Sequence, residues 1–429
     1  MALWRARRKL LACAAVVLGS SVRSVTFCGD PARRRPQLRR APCLQAAEKG
    51  EDPPSWEELE ALLPSSAVEE PLVIDSVLQP EKPQLEGLTF FRERNGWCPY
   101  SERVWLALEA KGLKYQTVLV DNYGSRPSWI SGQTPQVRWA DGRMQGESLD
   151  IIRALDSQFP GSPQLWPDEE VTKLVDAFKT IFPKQTRPSS RAAYLYSWNG
   201  PIFRSQFEET LSSTDELLGR HGGPFFFGPQ ISAADCAWAP FLERYAAQLP
   251  CLQTDLRPYD VNRWPRLAAW CDAMQQVPSY SCRVRGDEVS WRKVLAQAGY
   301  GNDGVVSSTV EDGSSKGSEA GMESVWAAYA RDRPYVAVTP QVEAAARLLR
   351  NRAALSKDAV KRGVSEAEVD HGLRGVAALL AGLCNSAVLE GSPAVAAVAA
   401  YLDDRMCVPR DMGLLPSEAI RSLARRLST

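Results

Sequence analysis

The run Asn95-Gly96-Trp97-Cys98-Pro99 is where this chain must switch from extended to helical backbone, with a thiol at the joint. Leu88-Thr89-Phe90-Phe91 before it is apolar and β-prone, and Val104, Leu106, Leu108 and Ala110 after it make a helical stripe that stops at Lys111-Gly112. Pro99 suits the first helical position, which makes Cys98 the N-cap. A helix start carries roughly half a positive charge and unsatisfied N–H groups. Both favour thiolate, so the position predicts a lowered thiol pKa, within a range of ~3.5–7.5. Three residues on stands Ser101, not a second cysteine. A monothiol site cannot close an internal disulfide there, so its turnover needs an external thiol.

The pattern around this joint fixes a fold class. Lys114 to Val120 alternates as a second strand, and Pro127-Ser128-Trp129-Ile130 suggests a short helix. Pro135–Trp139 and Arg143–Gln145 flank Ala140-Asp141-Gly142, and Asp-Gly is a favoured hairpin turn. Glu147 to Phe159 then runs at helical period. βαβ followed by ββα is the thioredoxin-like arrangement, an α/β domain with a mixed four-stranded sheet, expected over 87–160. Residues 161–298 read as an all-α bundle, with helices over Asp168–Phe182, Pro201–Leu218, Ser232–Gln248 and Val261–Gln276. Ser232-Ala233-Ala234-Asp235 is a capping signal. Residues 299–321, rich in Gly, Ser, Asp and Glu, read as a flexible linker. Residues 322–429 read as a separate small all-α region of unassigned role. Thr339-Pro340, Ser365 with Glu368, and Ser392-Pro393 are its helix starts, and Val369, Leu373, Val376, Leu380 and Leu383 its buried face.

Charge is uneven along the 429 residues. The first 47 hold ten basic side chains and one acid, and the remainder carries 50 acids against 41 bases. An acidic body argues against nucleic-acid or anionic-membrane partners. Within 1–47, Arg5 to Lys9 and Leu10 to Gly19 form a charged and then a short apolar region. An Arg-, Pro- and Ala-rich, acid-poor segment follows. That is the pattern of a signal followed by a transit peptide, which implies plastid delivery; a plain secretory signal is the alternative. Residues 48–86 read as a linker or docking arm, with Ser55-Trp56-Glu57-Glu58 capping a short helix. The ten cysteines include no CxxC pair and the two histidines stand alone, so no metal site is expected.

Cys98-Pro99-Tyr100-Ser101-Glu102-Arg103, Thr134-Pro135, Gly146-Glu147-Ser148-Leu149-Asp150-Ile151, Phe226-Phe227-Gly228, Ser232-Ala233-Ala234-Asp235 and Pro240-Phe241-Leu242-Glu243-Arg244-Tyr245 occur in that order. Over about residues 85–295 the series resembles the glutathione transferases of the plant lambda class, with the omega class and dehydroascorbate reductases as close relatives. The resemblance implies glutathione as co-substrate and Cys98 as the catalytic residue, with Pro99 and Tyr100 beside it. It further implies that Pro135 is a cis-proline, that Gln133 and Thr134 lie along the peptide, and that Glu147 and Ser148 take the γ-glutamyl end. Lambda enzymes carry Lys and Val where this chain has Gln133 and Thr134. The first change weakens the contact to the glycyl carboxylate, and Arg126 is a candidate to compensate. Trp238 and Tyr245 either face an acceptor pocket or belong to the core.

The implied activity is glutathione-dependent thiol transfer or deglutathionylation on small aromatic or disulfide acceptors. The alternatives are dehydroascorbate reduction on the same fold, or a glutathione- or ligand-binding scaffold without turnover whose C-terminal extension recruits a protein partner. Sequence leaves open whether the chain is a monomer or a homodimer.

Overall fold

The computed structural model describes residues 52–63, 70–122, 124, 126–161, 163–183, 186–188, 203–253, 255–297, 319–383 and 387–428. The leader, most of the expected 299–321 linker, and Cys13, Cys28, Cys43 and Cys384 lie outside them. The described residues form two compact units. One comprises 70–339 and 406–417, the other 52–63, 340–405 and 418–428.

The first unit opens with a mixed sheet. Its strands are β1 (Val73–Asp75), β2 (Thr89–Glu93), β3 (Gln116–Val120), β4 (Gln136–Arg138) and β5 (Met144–Gln145). Their spatial order is β1-β3-β2-β4-β5. β1, β3 and β2 run parallel, while β4 is antiparallel to β2 and β5 to β4. The sheet has five strands where four were expected, because Val73-Ile74-Asp75, from the expected arm, pairs with Thr117–Leu119. Successive strand residues face opposite sides. Phe90 therefore enters the core beneath helices α2 (Pro99–Ala110) and α3 (Ser148–Gln158), while Phe91 packs with Ile74, Val118, Val120 and Ile130 on the other face. The expected short helix at 127–130 is a turn, closed by Ile130 N–H donating to the Pro127 carbonyl at 3.0 Å.

The bundle comprises α4 (Glu169–Ile181), α5 (Arg204–Leu218), α6 (Ala233–Leu252), α7 (Pro265–Gln275), a π-turn (Tyr280–Val284) and α8 (Glu288–Gln297), followed by α9 (Glu319–Arg331). α6 is buried along nearly its whole length despite Pro240 and Pro250. Its start is held by Asp235, fully buried, which accepts from Ser232 N (2.8 Å), Ser232 Oγ (2.7 Å), Phe226 N (3.2 Å) and Trp270 Nε1 (2.8 Å). Segment 406–417 also belongs to this unit. Val408 N–H donates to Ser290 Oγ at 2.9 Å, and Cys407 packs with Trp97 and Trp291. The backbone of Arg410 lies near Gly96, whose built Cβ would stand 3.7 Å from the Arg410 nitrogen. Gly413 has no room for a side chain, since a Cβ there would stand 1.9 Å from the Cys282 carbonyl oxygen.

In the second unit, α1 (Trp56–Leu62) joins α10 (Pro340–Lys361), α11 (Glu366–Ala381), α12 (Ala387–Glu390), α13 (Pro393–Arg405) and the larger part of α14 (Leu414–Leu427). The residues expected as an arm dock here. Trp56 Nε1 donates to Asp370 at 2.7 Å, Arg374 donates to the Pro53 carbonyl at 2.7 Å, and Leu59 is fully buried. Pro340, Ser365 and Pro393 start helices as read, and Val369, Leu373, Val376 and Leu380 face inward.

Candidate active site

Three loops meet at one end of the sheet. β2 ends at Glu93 and leads to Cys98. β4 begins at Gln136, opposite Phe91 of antiparallel β2, so Thr134-Pro135 lies beside that same strand end. β5 ends at Gln145, opposite Val137, which brings Glu147-Ser148 to the same edge. The topology thus gathers residues spread over about fifty positions.

The thiol loop is held from below. Glu93 is 1% exposed, and its carboxyl oxygens accept from Asn95 N at 2.7 Å and Trp97 N at 2.8 Å. Gly96 takes φ +72°, a left-handed conformation that glycine adopts without cost. Arg244 Nη2 donates to the Trp97 carbonyl at 3.2 Å. The sequence assigns neither of these two buried charges a role: Glu93 belongs to no motif, and Arg244 stands only within Pro240–Tyr245. An acid in the last position of the strand, two residues before Asn95-Gly96, was the available signal.

Cys98 caps α2 with Pro99 at its first position, as read from the sequence. It is 4% exposed, and here the structure corrects the expected acidity. Burial pushes the thiol above its ordinary value, and the Glu93 charge adds to the rise. The backbone N–H groups of Tyr100 and Ser101 and the Ser101 hydroxyl pull the other way without prevailing. None closes a cap hydrogen bond of good geometry, and Ser101 Oγ is without a partner. Tyr100, half-buried, packs edge-on against Phe241. Arg103 is enclosed against Tyr100, Phe178 and Phe241, and burial lowers its pKa to about 9.

The facing loops form a cradle. The Thr134-Pro135 peptide is cis. Thr134 Oγ1 accepts from Asn122 Nδ2 at 2.8 Å, and Gln133 is exposed. Arg126 donates to Asn122 Oδ1 at 2.7 Å and to the Gly132 carbonyl, so it braces the loop that carries Gln133. Glu147 has φ +61° and ψ +109° and is the only described non-glycine residue with positive φ. Such backbone costs on the order of 1–3 kcal/mol and clusters at ligand clamps. It turns the chain so that Ser148 starts α3, with Ile151 N–H donating to the Glu147 carbonyl at 2.9 Å. The earlier N–H groups of that helix remain available to an anion.

Trp238 and Tyr245 do not line an acceptor pocket. Both are fully buried: Trp238 packs among Phe178, Phe182 and Phe226, and the Tyr245 hydroxyl donates to the Thr186 carbonyl at 2.6 Å. Their spacing on α6 reports core packing.

Residues 97–158 match the glutathione S-transferase N-terminal domain and residues 173–273 the glutathione S-transferase C-terminal domain. Glutathione S-transferase L1 of Arabidopsis thaliana is 31% identical over 207 residues, covering 43% of this chain and 77% of that protein. Protein IN2-1 of Zea mays is 32% identical over 242 residues, covering 51% of this chain and 89% of that one. Glutathione S-transferase L2, chloroplastic, of Arabidopsis thaliana is 30% identical over 201 residues, covering 43% and 62%. Among solved structures, dehydroascorbate reductase of Chlamydomonas reinhardtii aligns with TM-score 0.34 and 24% identity, over 45% of this chain and 90% of that one. Glutathione transferase Omega 3C of Trametes versicolor aligns with TM-score 0.35 and 22% identity, over 48% and 86%.

Proposed function

The chain belongs to the glutathione S-transferase family, and we propose that within it the protein is a cysteine-dependent thiol transferase that removes glutathionyl groups from small aromatic or disulfide acceptors. The observation that carries this reading is the convergence of Cys98, Thr134-Pro135 and Glu147-Ser148 on one sheet end. Glu147 offers a carboxylate to the γ-glutamyl ammonium. The Ser148 hydroxyl and the free N–H groups of α3 suit its carboxylate. The Thr134 backbone pairs with the cysteinyl unit, alongside Gln133, Pro99 and Tyr100.

In the reaction, the Cys98 thiolate attacks the glutathionyl sulfur of the bound adduct. A protein–glutathione disulfide forms: from a mixed disulfide the S–S bond breaks and the acceptor leaves as its thiolate, and from an aromatic thioether the C–S bond breaks and its electron pair stays on the ring carbon, which takes up a proton. A second glutathione thiolate then attacks the glutathionyl sulfur, which releases Cys98 and oxidised glutathione. Direct conjugation is poor at such a site, since the enzyme thiol itself becomes linked to the co-substrate. A non-catalytic glutathione-binding scaffold is the second reading, and the near-complete burial of Cys98 favours it. The basic, acid-poor leader supports delivery to a plastid.

Incubation with oxidised glutathione followed by peptide mass spectrometry tests the proposal. One glutathionyl unit on Cys98, and loss of transfer activity in Cys98→Ser, are expected. Activity that survives in Cys98→Ser overturns it, and turnover with dehydroascorbate but not with glutathionylated aromatics would reassign the acceptor.

A further inference from the structure

Two carboxyl groups meet one guanidinium beneath the loop that carries Cys98. Arg244 on α6 is fully enclosed, with its guanidinium 4.0 Å from the Trp291 ring centroid. Its Nη1 stands 2.8 Å from Glu102 Oε2 and 3.1 Å from Glu243 Oε1. Glu243 Oε1 also accepts from Trp291 Nε1 at 3.0 Å, and Oε2 accepts from the Tyr280 hydroxyl at 2.9 Å. The groups facing the pair are thus Arg244 from α6, Tyr280 from the π-turn with Arg285 beyond it, and the neutral Trp291 from α8.

This arrangement is one positive charge short. A second buried carboxylate with no cation of its own is costly, and a carboxyl escapes that cost by keeping its proton. An independent observation points the same way. Both oxygens of Glu102 are buried and accept no well-angled hydrogen bond, although Arg244 is near. A proton on Glu243, which shares Arg244 Nη1 with Glu102, would supply the missing donor.

The network also grips the nucleophile loop on both sides. Arg244 holds the carbonyl of Trp97, one residue before Cys98. Glu102 lies in the first turn of α2, where its N–H donates to the Cys98 carbonyl at 3.1 Å. We propose that Glu243 and Glu102 share one proton, with Glu243 as the donor, and that this pair, bridged by Arg244, is the positioning element that sets Cys98 at its helix start. Burial raises both carboxyls, and Glu243 further, because the Glu102 charge adds to desolvation. The positioning role rests on the reading of Cys98 as the reacting thiol; the shared proton does not.

The test uses the full chain with Glu243→Gln, a neutral isostere of the protonated acid, and Glu243→Leu. Infrared difference spectra of wild type against Glu243→Gln at neutral pH are expected to show a carboxylic-acid carbonyl band that the variant lacks. Absence of that band overturns the shared proton, and this result stands even if Glu243→Leu fails to fold. Cys98 alkylation by iodoacetamide, followed across pH by mass spectrometry, reads the positioning. In Glu243→Leu the profile is expected to move upward by about one pH unit, roughly tenfold in rate at fixed pH, with the wild-type profile largely restored in Glu243→Gln. Identical profiles in all three overturn positioning. If Cys98 never takes up a glutathionyl group while the infrared band is present, the thiol-transferase reading fails and the shared proton survives.

Discussion

Replacing Glu93 with alanine removes two acceptors at once from the loop that presents Cys98. Asn95 N–H and Trp97 N–H now donate to Glu93 over 2.7 and 2.8 Å in a site closed to water. Each buried N–H left without a partner costs about 1–3 kcal/mol, and the carboxyl's own burial cost is recovered, so the net loss is about 2–4 kcal/mol. For a unit of this size that is a fall in melting temperature of roughly 4–16 °C. Activity should suffer more than stability, since a reacting atom displaced by about 1 Å can cost on the order of a hundredfold in rate. Glu93→Gln keeps the shape but turns an amide NH2 toward one of the two N–H groups, so it should fall between wild type and alanine. Calorimetry with a glutathionyl-transfer assay decides the matter. If Glu93→Ala melts within a degree or two of wild type and keeps half its turnover, the loop is not held as described.

Asp235→Ala strips the start of α6 of the acceptor for four donors and should cost about 3–5 kcal/mol, with urea unfolding as the measure. A loss under about 1 kcal/mol would show that water or a neighbour replaces it. The raised Cys98 thiol gives a pH dependence of definite sign. Alkylation of Cys98 in the resting protein should keep rising above about pH 9.5, where a free cysteine of pKa about 8.5 has levelled off, and a plateau below about pH 8 would show that the thiol is not raised by burial. Glu93 and Asp235 are also raised by burial. The folded state therefore holds their protons more tightly than the unfolded chain does. Their contribution to stability is present at low pH and declines as pH climbs through each folded value.

The parts of this molecule legible in the sequence are those written by local rules. Pro99 and the apolar stripe after it place α2, Asp141-Gly142 places the β4–β5 hairpin, and Ser365 with Glu368 caps α11. What was misread depends on partners distant in the chain. Val73-Ile74-Asp75 is a strand only because β3 offers it an edge, and the apolar run Leu72-Val73-Ile74 within a Pro- and Glu-rich stretch is too short to announce that. The acidity expected for Cys98 follows from its own helix, whereas its burial comes from the tertiary surroundings, and desolvation outweighs the helix start. Trp238 and Tyr245 show the same limit, since period places them on α6 but cannot say that α4 covers them. The burial of Glu93 and Arg244 is not legible because a charged residue in a sequence is taken to face water unless a partner is in view.

The close seat of Gly413 on Cys282, and of Arg410 beside Gly96, bears on the order in which the molecule is finished. During synthesis the residues that match the family's two domains, 97–158 and 173–273, leave the ribosome well before residues 406–417 exist. Until those residues arrive, Gly96 lacks the Arg410 backbone and Trp97 lacks Cys407, so a nascent chain carries Cys98 on an incompletely packed loop. Maturation of the thiol's surroundings is a late event, timed by a segment far downstream in the chain.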